Sequence, residues 1–170
     1  MMLVIMLPKI MISNDEKHAK IYPEFEYKLQ FDGCSKSNPG IAGAGAVIYK
    51  FDKELSSKVQ FVGFKSTNNM AEYTGLIIGL KLAIQLGIKS LAVEGDSLLV
   101  INQMNGIYKV KSQNLMELNN QAKQLTKQFD NIIFRHIYRT NNKRADELSN
   151  IAITNNNSFD IDTTDYDEDD

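Results

Sequence analysis

Four acids and one histidine in this chain stand where the pattern of apolar residues changes. Asp32 follows the alternating run Tyr27, Leu29, Phe31 and opens the small-residue loop DGCSKSNPG; Asp96 closes the apolar run SLAVEGD. Glu72, in TNNMAEY, and Asp146, in KRADEL, fall where helical spacing begins. Both are expected in first turns, since helix N-termini tolerate acids. His136 lies inside the run NIIFRHIYR. Brought together, four carboxylates would repel one another at neutral pH, and a divalent cation relieves that repulsion. Oxygen donors without a sulfur or histidine cage favour Mg2+ or Mn2+ over Zn2+. Two such ions, about 3.5–4 Å apart, can clamp the attacking and leaving oxygens of a phosphodiester. Singly, each residue has a plainer role. Asp32 would be a turn former, Asp96 a helix cap, Glu72 and Asp146 surface acids, and His136 a hydrogen-bonded strand histidine. The metal reading rests on the set.

To converge, these acids need a sheet that gathers strand ends. Alternation and short apolar runs predict strands at 27–32, 42–51, 57–65, 90–96 and 131–139. The second and third are close enough to form a hairpin. The spacing of Tyr73, Leu76, Ile77, Leu80, Ala83 and Ile84 predicts a helix from Thr67, with Gly87 as its stop. SLLVINQMNG, a stretch opened by Ser112, and KRADELSNIAI predict three more helices. The order β-β-β-α-β-α-α-β-α is that of an α/β fold. It predicts a mixed sheet, an antiparallel meander plus parallel strands, with helices on both faces. Parallel sheets bind ligands beyond their carboxyl ends. Asp32 and Asp96 are therefore expected side by side.

Composition limits the rest. The chain has 170 residues, 43% hydrophobic and 24% charged, in keeping with one globular domain. Its one cysteine, Cys34, cannot form an intrachain disulfide and points to a reducing, intracellular compartment, cytoplasm or nucleus. Seven of the 21 acids lie in the terminal SFDIDTTDYDEDD, leaving 14 against 19 Lys and Arg in the body. A mildly basic body is compatible with a polyanionic partner. The opening MMLVIMLPKIMI is broken by Pro8 and Lys9 and lacks a basic start. Neither a membrane span nor a secretion signal is expected. The expected organisation is an extension at 1–25, a folded domain at 26–154 and a disordered acidic tail at 155–170, in a monomer. If the tail competes for the basic surface, truncation after Asn155 tightens polyanion binding at low salt.

FDGCSKSNPGIAGAG, TNNMAEYTGLIIGL, VEGDSLLVINQMNG and HIYRTNNKRADELSNIA together resemble type 1 ribonuclease H, in order and spacing, from about Tyr27 to about Ile153. The resemblance implies the ribonuclease H fold, a five-stranded mixed sheet with helices on both sides. It implies metal-dependent hydrolysis of the RNA strand of an RNA–DNA hybrid, leaving 5′-phosphate and 3′-hydroxyl ends. Asp32, Glu72, Asp96 and Asp146 fall on the family's metal-binding acids, for two Mg2+ or Mn2+ ions. His136 falls where many members carry a histidine that assists proton transfer or product release. The family pattern also sets Gly33, Cys34, Ser35, Asn38, Thr67, Asn68, Asn69, Arg139 and Asn142 against the substrate. Arg135, Lys143, Arg144, Lys109 and Lys111 are further candidates for phosphate charge. Only about five residues separate Gly106 from Ser112, and there is no Trp, so the chain is closer to the archaeal and plant-like branch without a basic protrusion. Two other readings are a non-catalytic module that holds nucleic acid or a protein partner, and a different nuclease on the same fold acting on DNA junctions or double-stranded RNA.

Overall fold

A computed structural model describes residues 25–155 and the backbone of 159–162. The elements are β1 (Tyr27–Ser35), β2 (Gly40–Lys50), β3 (Lys53–Ser66), α1 (Asn68–Gln85), β4 (Ser90–Gly95), α2 (Leu98–Met104), α3 (Gln113–Thr126), β5 (Asn131–His136), a 3-10 turn (Arg139–Asn141), α4 (Lys143–Asn155) and β6 (Phe159–Asp162). The sheet order is β5-β4-β1-β2-β3-β6. β1, β2 and β3 form an antiparallel meander, and β4 and β5 extend it in parallel from β1. The five-stranded mixed sheet expected from the sequence is therefore present.

β6 is an addition to it and a correction. The segment expected to be wholly disordered pairs antiparallel with the outer edge of β3, from Val59↔Phe159 to Ser56↔Asp162. An edge strand presents unpaired N–H and C=O groups, and FDID alternates at the strand period. The expectations for residues 1–24, 156–158 and 163–170 lie outside the described residues.

Strand ends also differ from expectation: β2 begins at Gly40 rather than 42, and β3 at Lys53 rather than 57, because the two pair back to the turn at Lys50↔Lys53. β1 runs three residues beyond Asp32, because β2 continues to pair with it through Ser35↔Ala42. The parallel ladder with β4 stops at Phe31↔Gly95, so Asp32 marks the end of that ladder rather than of the strand. β5 stops at His136 rather than 139; the next N–H, of Ile137, donates to the Gly95 carbonyl at 3.0 Å. β2 and β3 are joined by Phe51–Asp52, with φ of 47° and 65°, the positive values that a two-residue hairpin turn requires.

Two cores hold the layers. Leu29, Phe31, Leu76, Leu80, Leu91 and Val93 belong to the larger, under α1, α2 and α3. Val47 and Val59 meet Ala145, Leu148 and Ala152 of α4 in the smaller. Close approach of backbone to backbone sets the helices in place. A Cβ on Gly33 would stand 2.1 Å from the Ala71 carbonyl carbon and 2.3 Å from the Glu72 nitrogen. A Cβ on Gly45 would stand 2.5 Å from that of Leu148. Only glycine lets α1 and α4 sit so low on β1 and β2.

Candidate active site

Each acid reaches the site from a different element. Thr67 caps α1, its Oγ1 accepting from the Met70 N–H at 3.2 Å. The helix thus begins at Asn68, and its first turn carries no acid. Glu72 sits one turn further in than the apolar spacing implied, beside Gly33 where α1 presses on β1. Asp96 is not a cap. Ser97 takes that role, accepting from the Val100 N–H at 3.3 Å, and leaves the Asp96 carboxylate available. Asp146 lies in the first turn of α4, as expected.

Oxygens of Asp32, Glu72 and Asp96 lie within 4.8 Å of one another. Asp146 stands outside that group of three but lines the same cleft, an open cavity of about 710 Å³. Arg139 Nη2 lies 3.6 Å from its Oδ1. Packing like charges in a partly dry site raises their proton affinity. Burial, then the charge of Asp96, pushes Asp32 up to about 7. Burial and the charge of Asp32 hold Glu72 well above the usual carboxylate range. Burial also raises Asp96, against the opposing pull of Arg139 and Asn142. Glu72 Oε2 is buried without a hydrogen-bond partner among the described residues. An orphaned carboxylate oxygen beside two more carboxylates is unfavourable in the protein alone and becomes a ligand when a hard cation is present. The donor set therefore fits a divalent ion.

The other expected site residues divide. His136 is exposed at the end of β5 and lines the cleft; its Nε2 lies 3.2 Å from the Asp96 carbonyl. Gly33, Cys34, Ser35 and Asn68 line the cleft too. Asn68 Oδ1 accepts from the Ser35 N–H at 2.7 Å, and Asn38 Oδ1 accepts from the Asn68 N–H at 3.0 Å. The carboxamide oxygens thus tie the β1–β2 loop to the start of α1. Asn69 is half-buried beside them. Asn142 is fully buried and does not line the cleft, so direct substrate contact is ruled out for it by accessibility. Arg135 is drawn to Glu94, Nε to Oε2 at 2.5 Å, and Arg144 to Glu54 at 2.7 Å, so neither faces the cleft. Lys109 and Lys111 line a separate groove with Ile107 and Tyr108.

Lys36, Tyr138 and Asn150 also line the cleft and were not anticipated. Lys36 was legible as the base inside DGCSKSNPG, and Asn150 as the residue one helical turn after Asp146. Lys36 Nζ donates to Asn150 Oδ1 at 2.8 Å. Tyr138 gave no signal; it lies beyond β5, its ring centroid 6.0 Å from that of His136.

A meander extended by parallel strands, with acids at the ladder ends and on flanking helices, defines a ribonuclease H-like domain. The family described as reverse transcriptase-like matches residues 30–152. The bifunctional protein Rv2228c of Mycobacterium tuberculosis is 44% identical over 127 residues, 74% of this chain and 35% of the relative. Its N-terminal ribonuclease H domain, solved as a fusion with maltose-binding protein, superposes with a TM-score of 0.73 at 43% identity, covering 76% of this chain and 94% of that one. Ribonuclease H1 of Halobacterium salinarum superposes with a TM-score of 0.73 at 34% identity, covering 76% and 98%. LC11-ribonuclease H1, isolated from compost and solved in complex with an RNA/DNA hybrid, gives 0.72 at 36%, covering 76% and 98%. The chain belongs to the type 1 ribonuclease H family, whose members use divalent metal ions. It spans about a third of the length of the first curated relatives it matches. Among the described residues, no helix is long and apolar enough to cross a membrane.

Proposed function

We propose that this chain is an endoribonuclease that hydrolyses the RNA strand of RNA–DNA hybrids, leaving 5′-phosphate and 3′-hydroxyl ends. The observation that carries the reading is the group of three carboxylates within 4.8 Å, one oxygen orphaned, at the floor of an open cleft. Mg2+ or Mn2+, two ions per site, would supply water activation and stabilisation of the departing 3′ oxygen. Asp32, Glu72 and Asp96 hold that charge, and Asp146 completes the set from the rim. Arg139 restrains Asp146 and offers its remaining donors to a phosphate. His136, exposed at the rim, is placed to move a proton or to release product.

Selection of RNA needs groups that recognise 2′-hydroxyls in a minor groove. Asn38 and Asn68 spend their oxygens inside the protein, which leaves their exposed amide donors for ribose. Gly33, Cys34, Ser35, Thr67 and Asn69 complete that surface. The protein acts as a monomer in a reducing compartment, cytoplasm or nucleus. The test is a labelled panel of hybrid, double-stranded RNA and duplex DNA with Mg2+ or Mn2+. The hybrid alone is cut, and Asp32→Asn abolishes cutting while hybrid binding persists. An uncut hybrid ends the proposal.

A further inference from the structure

Asn142 is fully buried where the 3-10 turn passes into α4. Three of its groups are engaged. Nδ2 donates to the Phe31 carbonyl of β1 at 2.9 Å, one residue before Asp32. Its carbonyl accepts from the Asp146 N–H at 3.1 Å, at the opening of α4. Its own N–H donates to the Arg139 carbonyl at 3.0 Å. Phe31 in turn is the register partner of Gly95 on β4, the residue before Asp96. The fourth group, Oδ1, is buried without a partner among the described residues.

An orphaned buried acceptor is destabilising, and an apolar side chain would avoid it. The donor must therefore matter more than the loss. Turned over, the amide would set Oδ1 against the Phe31 carbonyl, so the donor fixes its orientation. We propose that Asn142 is a positioning residue: it locks the start of α4 to the end of the β1–β4 ladder and so sets Asp96 and Asp146 relative to Asp32. This rests on reading the acids as an ion-binding nuclease centre. It replaces substrate contact as the role of Asn142.

The test compares wild type, Asn142→Ala and Asn142→Ser in the full chain. Mn2+ affinity is read by calorimetry, kcat and KM on hybrid, and unfolding by urea in EDTA. Asn142→Ala is expected to bind Mn2+ about 10- to 100-fold more weakly, with kcat falling in step and KM for hybrid little changed. Asn142→Ser keeps one donor and recovers part of both. Val59→Ala, a cavity in the smaller core, controls for lost stability and keeps its Mn2+ affinity. Wild-type Mn2+ affinity in Asn142→Ala overturns the proposal, as does an equal loss in Val59→Ala. If Asn142→Ala fails to fold, Asn142→Ser decides alone, and wild-type affinity there overturns the proposal equally. A wild type that leaves hybrid uncut, with Mn2+ binding still weakened in Asn142→Ala, counts against the nuclease reading and for the positioning role.

Discussion

Asp32 keeps its proton in the folded protein up to about pH 7, against an ordinary value of 3.8. Between those values the folded state holds more protons than the unfolded one. Without divalent ions, stability should therefore fall as pH rises from about 4 to about 7. Urea midpoints in EDTA across this range check the slope; a stability that rises with pH there contradicts it. Asp32→Asn removes the ionisation. In EDTA at neutral pH it should be more stable than wild type by about 0.5–2 kcal/mol, the usual gain when a strained functional site is relaxed. With Mn2+ the order reverses, because only wild type gains from binding. A site selected for stability alone would not show that inversion.

Among the elements, the placing of Glu72 depends on a contact that has no side chain. Gly33 lets α1 rest on β1, with the Glu72 backbone directly over it. Gly33→Ala must push the helix away or distort the strand, since the atoms it meets are backbone. A loss of about 3 kcal/mol is expected, together with weakened Mn2+ binding as Glu72 parts from Asp32. Denaturation and calorimetry on one preparation report both. Unchanged Mn2+ affinity in a destabilised Gly33→Ala would show that the helix seat and the ion site are separable.

Across the molecule as a whole, β6 changes the account of the acidic tail. β3 runs towards the cleft edge, where Ser66 meets Gly40, and β6 runs the other way, from Val59 back to Ser56. The chain leaves β6 heading away from the acids. From Ser56 to Ser66, β3 spans about 33 Å at about 3.3 Å per residue. β6 thus lies at the sheet edge, three strands from β1, which carries Asp32. Deleting 156–170 should leave kcat/KM on hybrid within about twofold at low salt, yet expose the β3 edge and raise self-association. Scattering and activity on the truncated chain test the two halves. Markedly tighter hybrid binding would restore the competition idea.

The order from β1 to α4, the meander and parallel halves, and the four acids that line one cleft were legible in the chain before it folds. They follow from period, turn residues and chain order, which are local properties. Gly33 and Gly45 were visible as letters, but that a helix backbone rests on each was not, because closeness across a sheet has no local trace. The true end of β1 was likewise set by a partner: β2 carries it to Ser35 after β4 has let go. Asn142 shows the difference most plainly. Its sequence neighbourhood, TNNKRAD, reads as a polar loop, and it is the packing of α4 on the sheet that buries it and gives its amide the Phe31 carbonyl. Burial and long-range hydrogen bonding depend on what the rest of the chain brings near, and pattern within a window does not contain that.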